Sequence, residues 1–207
     1  YAPIPRQSNR PIWDYAAEQV GKILREEPEG DILVFMPGIY EITRTIGAVN
    51  QLRESSTVEV LPLYGELSPA EQDRAVGVSN QRKVIVATNV AETSLTIPGV
   101  RAVVDAGLAR VARFDSVRGI DTLMIESISQ ASAEQRAGRA GRTGPGRCIR
   151  LWSHTDHQSR PSCRSGRNGR SRRESQDISD TWSRPEAGPR GRSAGKSRFP
   201  AARRDAT

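Results

Sequence analysis

Three arginines recur at every third position of one short segment, Gln135–Arg142, at 136, 139 and 142. Residues three apart share a face of a helix end or tight turn, and the intervening glycines at 138 and 141 leave the backbone open to close approach. Arginine is always charged, and its planar fork matches phosphate oxygens. The segment therefore predicts guanidinium groups that stabilise the charge growing on a triphosphate during hydrolysis. The alternative is a solvated basic turn.

A second polar segment, Ala87–Gly99, follows the apolar run Lys83–Ala87. If that run is a strand, the segment lies at its carboxyl end, where open α/β sheets bind ligands. Neutral side chains at such a place can hold phosphate oxygens without reading bases. The hydroxyl and amide groups concerned are those of Thr88, Asn89, Thr93, Ser94 and Thr96. The alternative is a Ser/Thr-rich loop that caps the next helix.

The hydrophobic pattern alternates between short apolar runs and amphipathic stretches, which is typical of a parallel α/β sheet sandwiched by helices. Predicted strands are 32–36, 57–63, 83–87, 100–105 and 147–152. Predicted helices are 13–27, 39–53, one that begins at the Ser68-Pro-Ala-Glu capping box, and 129–140. Two strand-like runs, 109–114 and 120–125, break the alternation and predict an inserted β-hairpin.

Together, these segments resemble the second RecA-like domain of DEAH-box helicases of superfamily 2, close to the bacterial HrpA/HrpB type. Gly30–Gly38 looks like motif IV, Leu61–Pro69 like the next block, Thr88–Gly99 like motif V, and Gln135–Arg142 like motif VI. The resemblance runs from about residue 11 to 160. We therefore expect a linker at 1–12, a second RecA-like helicase domain at 13–155 and a low-complexity tail at 156–207.

The resemblance implies roles on the nucleotide side. Arg139 and Arg142 look like arginine fingers that reach nucleotide held by the first RecA-like domain. Gln135 looks like the residue near the γ-phosphate and attacking water, and Thr96 like a further nucleotide contact. ATP and Mg²⁺ are the implied cofactors, held mainly by the first RecA-like domain. Many family members have Asp where this chain has Pro98, which removes a possible ribose contact.

On the nucleic-acid side, the resemblance implies that Thr88 and Asn89 contact an RNA backbone, with DNA as the alternative strand. The hairpin would lie near the duplex junction.

The resemblance also bears on the choice of nucleotide. Near the position of Val76, many relatives have an aromatic residue that stacks on the base of the nucleotide, and a valine stacks poorly. Weak discrimination among nucleoside triphosphates is the expected consequence.

Charge separates the tail from the rest of the chain. Residues 1–160 hold 19 basic and 19 acidic residues, whereas residues 161–207 hold 12 basic and 5 acidic ones, the whole net charge of +7. The tail is rich in Arg, Ser, Gly and Pro, a composition too poor in apolar residues to offset the entropy of ordering. We expect it to be disordered, and its abrupt onset suggests an out-of-frame or spliced-on sequence. A basic RNA-binding tail is the alternative.

Several classes of site and protein are disfavoured. Two cysteines exclude a disulfide scaffold. The set Cys148, His154, His157 and Cys163 does not match zinc-ligand spacing, so no metal site is expected. Gly195-Lys-Ser197 lacks the earlier glycine of a phosphate loop.

The sequence also leads to expectations about the cellular compartment and the completeness of the chain. It contains no run of 18 apolar residues that would predict a membrane span, and no signal peptide follows Tyr1. We expect a cytoplasmic chain that begins inside a longer protein and is inactive alone, because the phosphate loop and the Asp-Glu-Ala-His box lie outside this sequence. The alternatives are a non-catalytic nucleic-acid-binding fragment and a nonfunctional product of a broken helicase gene.

Overall fold

A central parallel sheet carries the fold in the computed structural model, which describes residues 1–5, 8–27, 29–93, 96–115, 119–142 and 144–163. The strands are β1 Asp31–Phe35, β2 Glu59–Leu63, β3 Lys83–Ala87, β4 Val100–Asp105, β5 Leu108–Asp115, β6 Ile120–Ser127 and β7 Arg147–Arg150. The helices are α1 Ile12–Glu26, α2 Ile39–Asn50, α3 Pro69–Val76, α4 Val90–Thr93, α5 Gln130–Ala137 and α6 His154–Ser159. Five strands form the sheet in the order β2-β3-β1-β4-β7, and every pairing is parallel.

The two faces of the sheet bury separate apolar clusters, because side chains alternate along each strand. Ile32 and Val34 of β1 point to the cluster formed with α1 and α2. Leu33 and Phe35 point to the opposite cluster, which includes Ala75 of α3. Since both faces are covered, the central strands carry apolar side chains on both faces, as parallel strands usually do. The predicted α/β sandwich is confirmed.

Several element ends differ from the sequence-based prediction. The helix predicted to reach residue 53 ends at Asn50, and Arg53–Thr57 forms a 3₁₀ helix, so β2 begins at Glu59 rather than residue 57. Hydroxyl groups of that segment donate to carbonyls three residues earlier, as Ser55 does to Leu52 at 2.7 Å. Such local bonds compete with strand pairing. The capping box at Ser68 and Glu71 forms as predicted.

The inserted hairpin is confirmed and is longer than predicted. β5 and β6 pair antiparallel from Leu108–Ser127 to Asp115–Ile120. Gly107 begins the insertion with a positive φ of 72°, and a Cβ there would lie 2.5 Å from the Trp152 ring. This position therefore requires glycine.

Both ends of the described chain contact the domain. The Ala2 N–H donates to the Arg150 carbonyl at 2.8 Å, so the segment predicted as a linker lies beside β7. At the other end, the carbonyls of Pro161 and Ser162 accept the first N–H groups of α5. Ordered contacts therefore extend beyond both predicted limits, 13 and 155. The tail from residue 164 lies outside the described residues.

Within the described ranges, no helix is both long and apolar enough to cross a membrane.

Candidate nucleotide and nucleic-acid interface

A buried ion network joins α5 to the segment after β3 and to the end of β4. Arg136 donates from Nε to Glu92 at 3.0 Å and from Nη1 to Asp105 at 2.9 Å. Ser132, one turn earlier on α5, donates to the other Glu92 oxygen at 2.5 Å. Nη1 of Arg136 also lies 3.3 Å from the Leu108 carbonyl at the base of the hairpin. The network therefore connects the arginine segment with both the polar segment and the hairpin.

Arg136 belongs to the interior of the domain. Its exposed fraction is 1%, and its guanidinium lies 4.7 Å from the Phe35 ring centroid, a cation–π contact. A buried charge is tolerated only when it is paired and hydrogen-bonded, as it is in this network. We expect Arg136 to face away from nucleotide and to matter less for hydrolysis than the other two arginines. Its burial agrees with the first expectation, but it also makes Arg136 a structural residue, so Arg136→Ala is not a control that leaves stability unchanged.

Arg139 and Arg142 follow α5 in a tight turn, not in the helix predicted to residue 140. The bonds Arg139 N–H to Arg136 O and Ala140 N–H to Ala137 O span three residues, which tightens the chain after the helix ends at Ala137. The low helix propensity of Gly138 and Gly141 favours this early end.

The two turn arginines lie against the polar segment. Arg139 donates from Nε to the Glu92 carbonyl at 2.9 Å, and its Nη2 donates to the same oxygen. Burial lowers the pKa of Arg139, the nearby Arg142 lowers it further and Glu92 opposes both. Arg142 is exposed, and its Nη1 lies 3.2 Å from Oγ1 of Thr96. Two cationic groups and a hydroxyl therefore lie near one another. Arg139 is only 6% exposed and two of its donor nitrogens contact the Glu92 carbonyl, so Arg142 and Thr96 are the exposed donors, of a kind that fits phosphate oxygens.

Gln135 and Pro98 complete the residues predicted on the nucleotide side. Gln135 is exposed on α5, one residue before the buried Arg136. Pro98 is exposed between Thr96 and β4. The donor set of Arg139, Arg142 and Thr96 is the part that the structure brings together.

Thr88 and Asn89 lie apart from those arginines, in an open groove at the carboxyl ends of β1 and β3. Pro37, Gly38 and Ile39 form one side of it, and Arg110 and Leu123 of the hairpin form another. The Thr88 N–H donates to the Leu63 carbonyl at 3.1 Å, so it continues the β2–β3 ladder. Asn89 is exposed. The groove is open to solvent and has a volume of about 610 Å³.

The cysteine and histidine group near β7 does not resemble a metal centre. Burial raises the pKa of the Cys148 thiol to about 12, so the thiol is protonated at neutral pH. His157 packs on the Trp152 ring with centroids 6.3 Å apart. In the part of the chain that the structure describes, no three His, Cys, Asp or Glu side chains could hold a metal ion together.

Two acidic residues of the site, Glu92 and Asp105, are not identified by the sequence analysis. Glu92 is the one acidic residue in Thr88–Gly99, and a lone carboxylate among hydroxyl and apolar residues is a signal for a buried ion pair. Asp105 ends an apolar strand, and its Oδ1 also accepts the Gly107 N–H at 2.8 Å. Neither signal names the partner, because Arg136 lies 44 and 31 positions away along the chain.

Comparison with known proteins identifies the family. Residues 16–144 match the model of the helicase conserved C-terminal domain. ATP-dependent RNA helicase HrpA of Escherichia coli K12 is 51% identical over 136 residues, 66% of this chain and 10% of that protein. HrpB of the same organism is 45% identical over 153 residues, 73% of this chain and 18% of that protein.

A solved structure agrees with the sequence matches. The crystal structure of the E. coli DExH-box NTPase HrpB superposes with a TM-score of 0.73 at 41% identity, and covers 80% of this chain and 20% of that one. This chain therefore spans only about a tenth to a fifth of the length of these three relatives. The chain belongs to the helicase conserved C-terminal domain family, and its relatives place it with the DEAH-box helicases of the HrpA/HrpB type.

Proposed function

We propose that this chain is the second motor domain of an ATP-dependent RNA helicase. In this role it presents Arg139 and Arg142 to nucleotide bound by a first RecA-like domain and guides an RNA backbone with Thr88 and Asn89. The supporting observation is that the segment Glu92–Thr96 holds both arginines, through the Glu92 carbonyl and the Thr96 hydroxyl.

The nucleotide side of the proposal depends on preorganisation. Guanidinium groups stabilise transition-state charge best when they are already in place, because no reorganisation is then needed at the moment of reaction. Arg139 is fixed by two donations to one carbonyl oxygen. Bound ATP would supply the phosphoryl group and Mg²⁺ would neutralise part of its charge. The contribution of this chain is to hold the two guanidinium groups in position.

The nucleic-acid side depends on the groove. Its walls offer the amide of Asn89, the hydroxyl of Thr88 and the guanidinium of Arg110, whose Nη2 also lies 3.6 Å from Glu41. Such a mixture suits phosphate and sugar contacts, which position a strand without reading its sequence. Thr88 and Asn89 precede α4 and Thr96 follows it, so the proposed strand contacts and nucleotide contacts lie on either side of one short helix.

The isolated chain is expected to show no measurable ATP hydrolysis, because hydrolysis needs a phosphate cradle and bound Mg²⁺ as well as arginines. Steady-state phosphate release, measured with purified chain and RNA, tests this. Addition or fusion of a first RecA-like domain from a relative such as HrpB should restore RNA-stimulated turnover. Turnover by the chain alone that is sensitive to Arg139→Ala would contradict the expectation. No turnover with any first domain would favour a non-catalytic nucleic-acid-binding module.

The tail is expected to dominate non-specific RNA affinity, because residues 161–207 carry all the net positive charge. Removal of the residues after Ser165 should remove most of the affinity and most of its salt dependence. The cut is placed after Ser165, two residues beyond the described part of the domain, since a cut after Arg160 would also remove the carbonyls that bind α5. Fluorescence anisotropy with a labelled oligonucleotide at several salt concentrations measures both quantities. Unchanged affinity after truncation would show that the folded domain holds the stronger site.

A further inference from the structure

An exposed aromatic group lies at the amino ends of α1 and α2. The rings of Trp13 and Tyr40 meet edge to face, with centroids 5.7 Å apart and planes at 86°. Arg44 follows Tyr40 by one helical turn, so both lie on the same face of α2. The Arg44 guanidinium lies 5.3 Å from the Trp13 ring centroid. We call Trp13, Tyr40 and Arg44 the aromatic platform.

The Tyr40 ring is exposed although it is supported. Its exposed fraction is 58%, and that of the preceding Ile39 is 40%. The edge contact with Trp13 restrains the ring, which reduces the entropy lost when a ligand stacks on it. A restrained, solvent-facing aromatic ring is a suitable surface for another flat ring.

The platform lies next to the groove that contains Thr88 and Asn89. Pro37, Gly38 and Ile39 line that groove, and Tyr40 is the next residue along α2. A nucleic-acid strand that passes Gly38 and Ile39 therefore comes within one residue of Tyr40. On its other side, the platform borders a shallow depression of about 270 Å³ that Trp13 and Arg44 line together with Thr43 and Gln51.

The chemistry of the platform favours a nucleobase over an apolar protein segment. Aromatic rings beside a guanidinium are the elements with which proteins bind single strands, since every base has a face that stacks. The surroundings are polar: Asp14, Thr43 and Gln51 line the adjoining depression. Because Asp14 and Arg44, which carry opposite charges, both line this depression, we expect binding at the platform to depend more on stacking than on net charge.

We propose that Tyr40, supported by Trp13, stacks on a base of single-stranded nucleic acid at the exit of the Thr88–Asn89 groove. Arg44 contacts the adjacent phosphate. This inference rests on the proposed strand-binding role of the groove and extends that track by one nucleotide subsite.

Photocrosslinking of the full chain tests the position of the base. An oligouridine that carries 5-iodouridine is irradiated with the chain, and the linked residue is identified by mass spectrometry of the peptides. We expect crosslinks at Tyr40 or Trp13. Crosslinks confined to the tail or the hairpin would overturn the proposal.

Affinity measurements separate the platform from the groove. At a salt concentration high enough to weaken the tail's contribution, Tyr40→Ala should weaken oligouridine binding about tenfold, the effect of losing one stacked base. Tyr40→Phe should retain binding, Tyr40→Leu should not, and the salt dependence should stay unchanged. Val78→Ala, an exposed position at the opposite end of the sheet, is the matched control and should have no effect.

The variants also distinguish failure of this proposal from failure of the groove. If Asn89→Ala weakens binding and Tyr40→Ala does not, the proposed stacking on Tyr40 is wrong, whereas the proposed strand binding in the groove is supported. If neither variant weakens binding and all crosslinks lie in the tail, both are wrong. Thermal unfolding by circular dichroism confirms that each variant is folded. A loss with Tyr40→Ala that Tyr40→Phe does not share supports the stacked base.

Discussion

Arg142→Ala, in a two-domain enzyme made by fusing this chain to the first RecA-like domain of a relative, is expected to lower kcat by about 10³-fold or more. Nucleotide affinity should change little. Arg142 is exposed and its nearest partner is the neutral Thr96 hydroxyl, so its charge is available to a phosphate. A group that meets charge developing only in the transition state affects kcat, not ground-state binding. ATPase kinetics together with nucleotide titration separate the two quantities.

Arg139→Ala should lower kcat by a similar factor but should also lower the free energy of unfolding. The reason is that Arg139 is buried against the Glu92 carbonyl, which its loss would leave without these donors. Arg→Lys should not rescue either position, because an ammonium cannot form the forked contact. Arg25→Ala is the matched control. Arg25 lies on α1 and is paired with Glu54. If kcat falls by the same small factor in Arg139→Ala, Arg142→Ala and Arg25→Ala, the assignment of Arg139 and Arg142 as arginine fingers is wrong.

Arg136→Ala is expected to destabilise the chain by about 3–5 kcal/mol, the usual effect of removing one partner from a buried ion pair. The substitution leaves the carboxylates of Glu92 and Asp105 buried without the cation that both contact. Among the described residues, one oxygen of Asp105 is already buried without a hydrogen-bond partner, so the network has little capacity to compensate. Urea unfolding followed by circular dichroism measures the change in the isolated chain, without nucleotide or RNA.

Two further variants locate the origin of that effect. Arg25→Ala removes a solvent-exposed ion pair and should cost less than about 1 kcal/mol. Glu92→Gln keeps the shape of the side chain and removes its charge, so it should destabilise strongly when made alone and less in an Arg136→Met background. If Arg136→Ala unfolds no more easily than Arg25→Ala, the buried network contributes little to stability.

The order of the elements was predictable from the sequence because it depends on local patterns. Apolar runs such as Ile32–Met36 show that a strand is covered on both faces, and Ser68 with Glu71 shows where a helix begins. These signals act over a few residues, so no tertiary contact is needed to interpret them. The family motifs are likewise continuous segments, and the sequence alone therefore locates them.

The element ends were less predictable. α5 ends at Ala137 instead of residue 140, because bonds between residues three apart tighten the chain around Gly138.

The aromatic platform could not be predicted from the sequence, since Trp13 and Tyr40 belong to different helices. Their contact depends on how α1 packs beside α2.

Residue types and spacing alone predict that three arginines with equal spacing follow a helix start, and that their chemistry suits phosphate. Which of the three are accessible depends on the fold. Arg136 is buried because Glu92 and Asp105, 44 and 31 positions away, arrive on other elements to neutralise it. Arg142 stays exposed, with the Thr96 hydroxyl as its neighbour. Spacing sets the direction of each side chain, but burial of a charge depends on the countercharges that the fold brings to it.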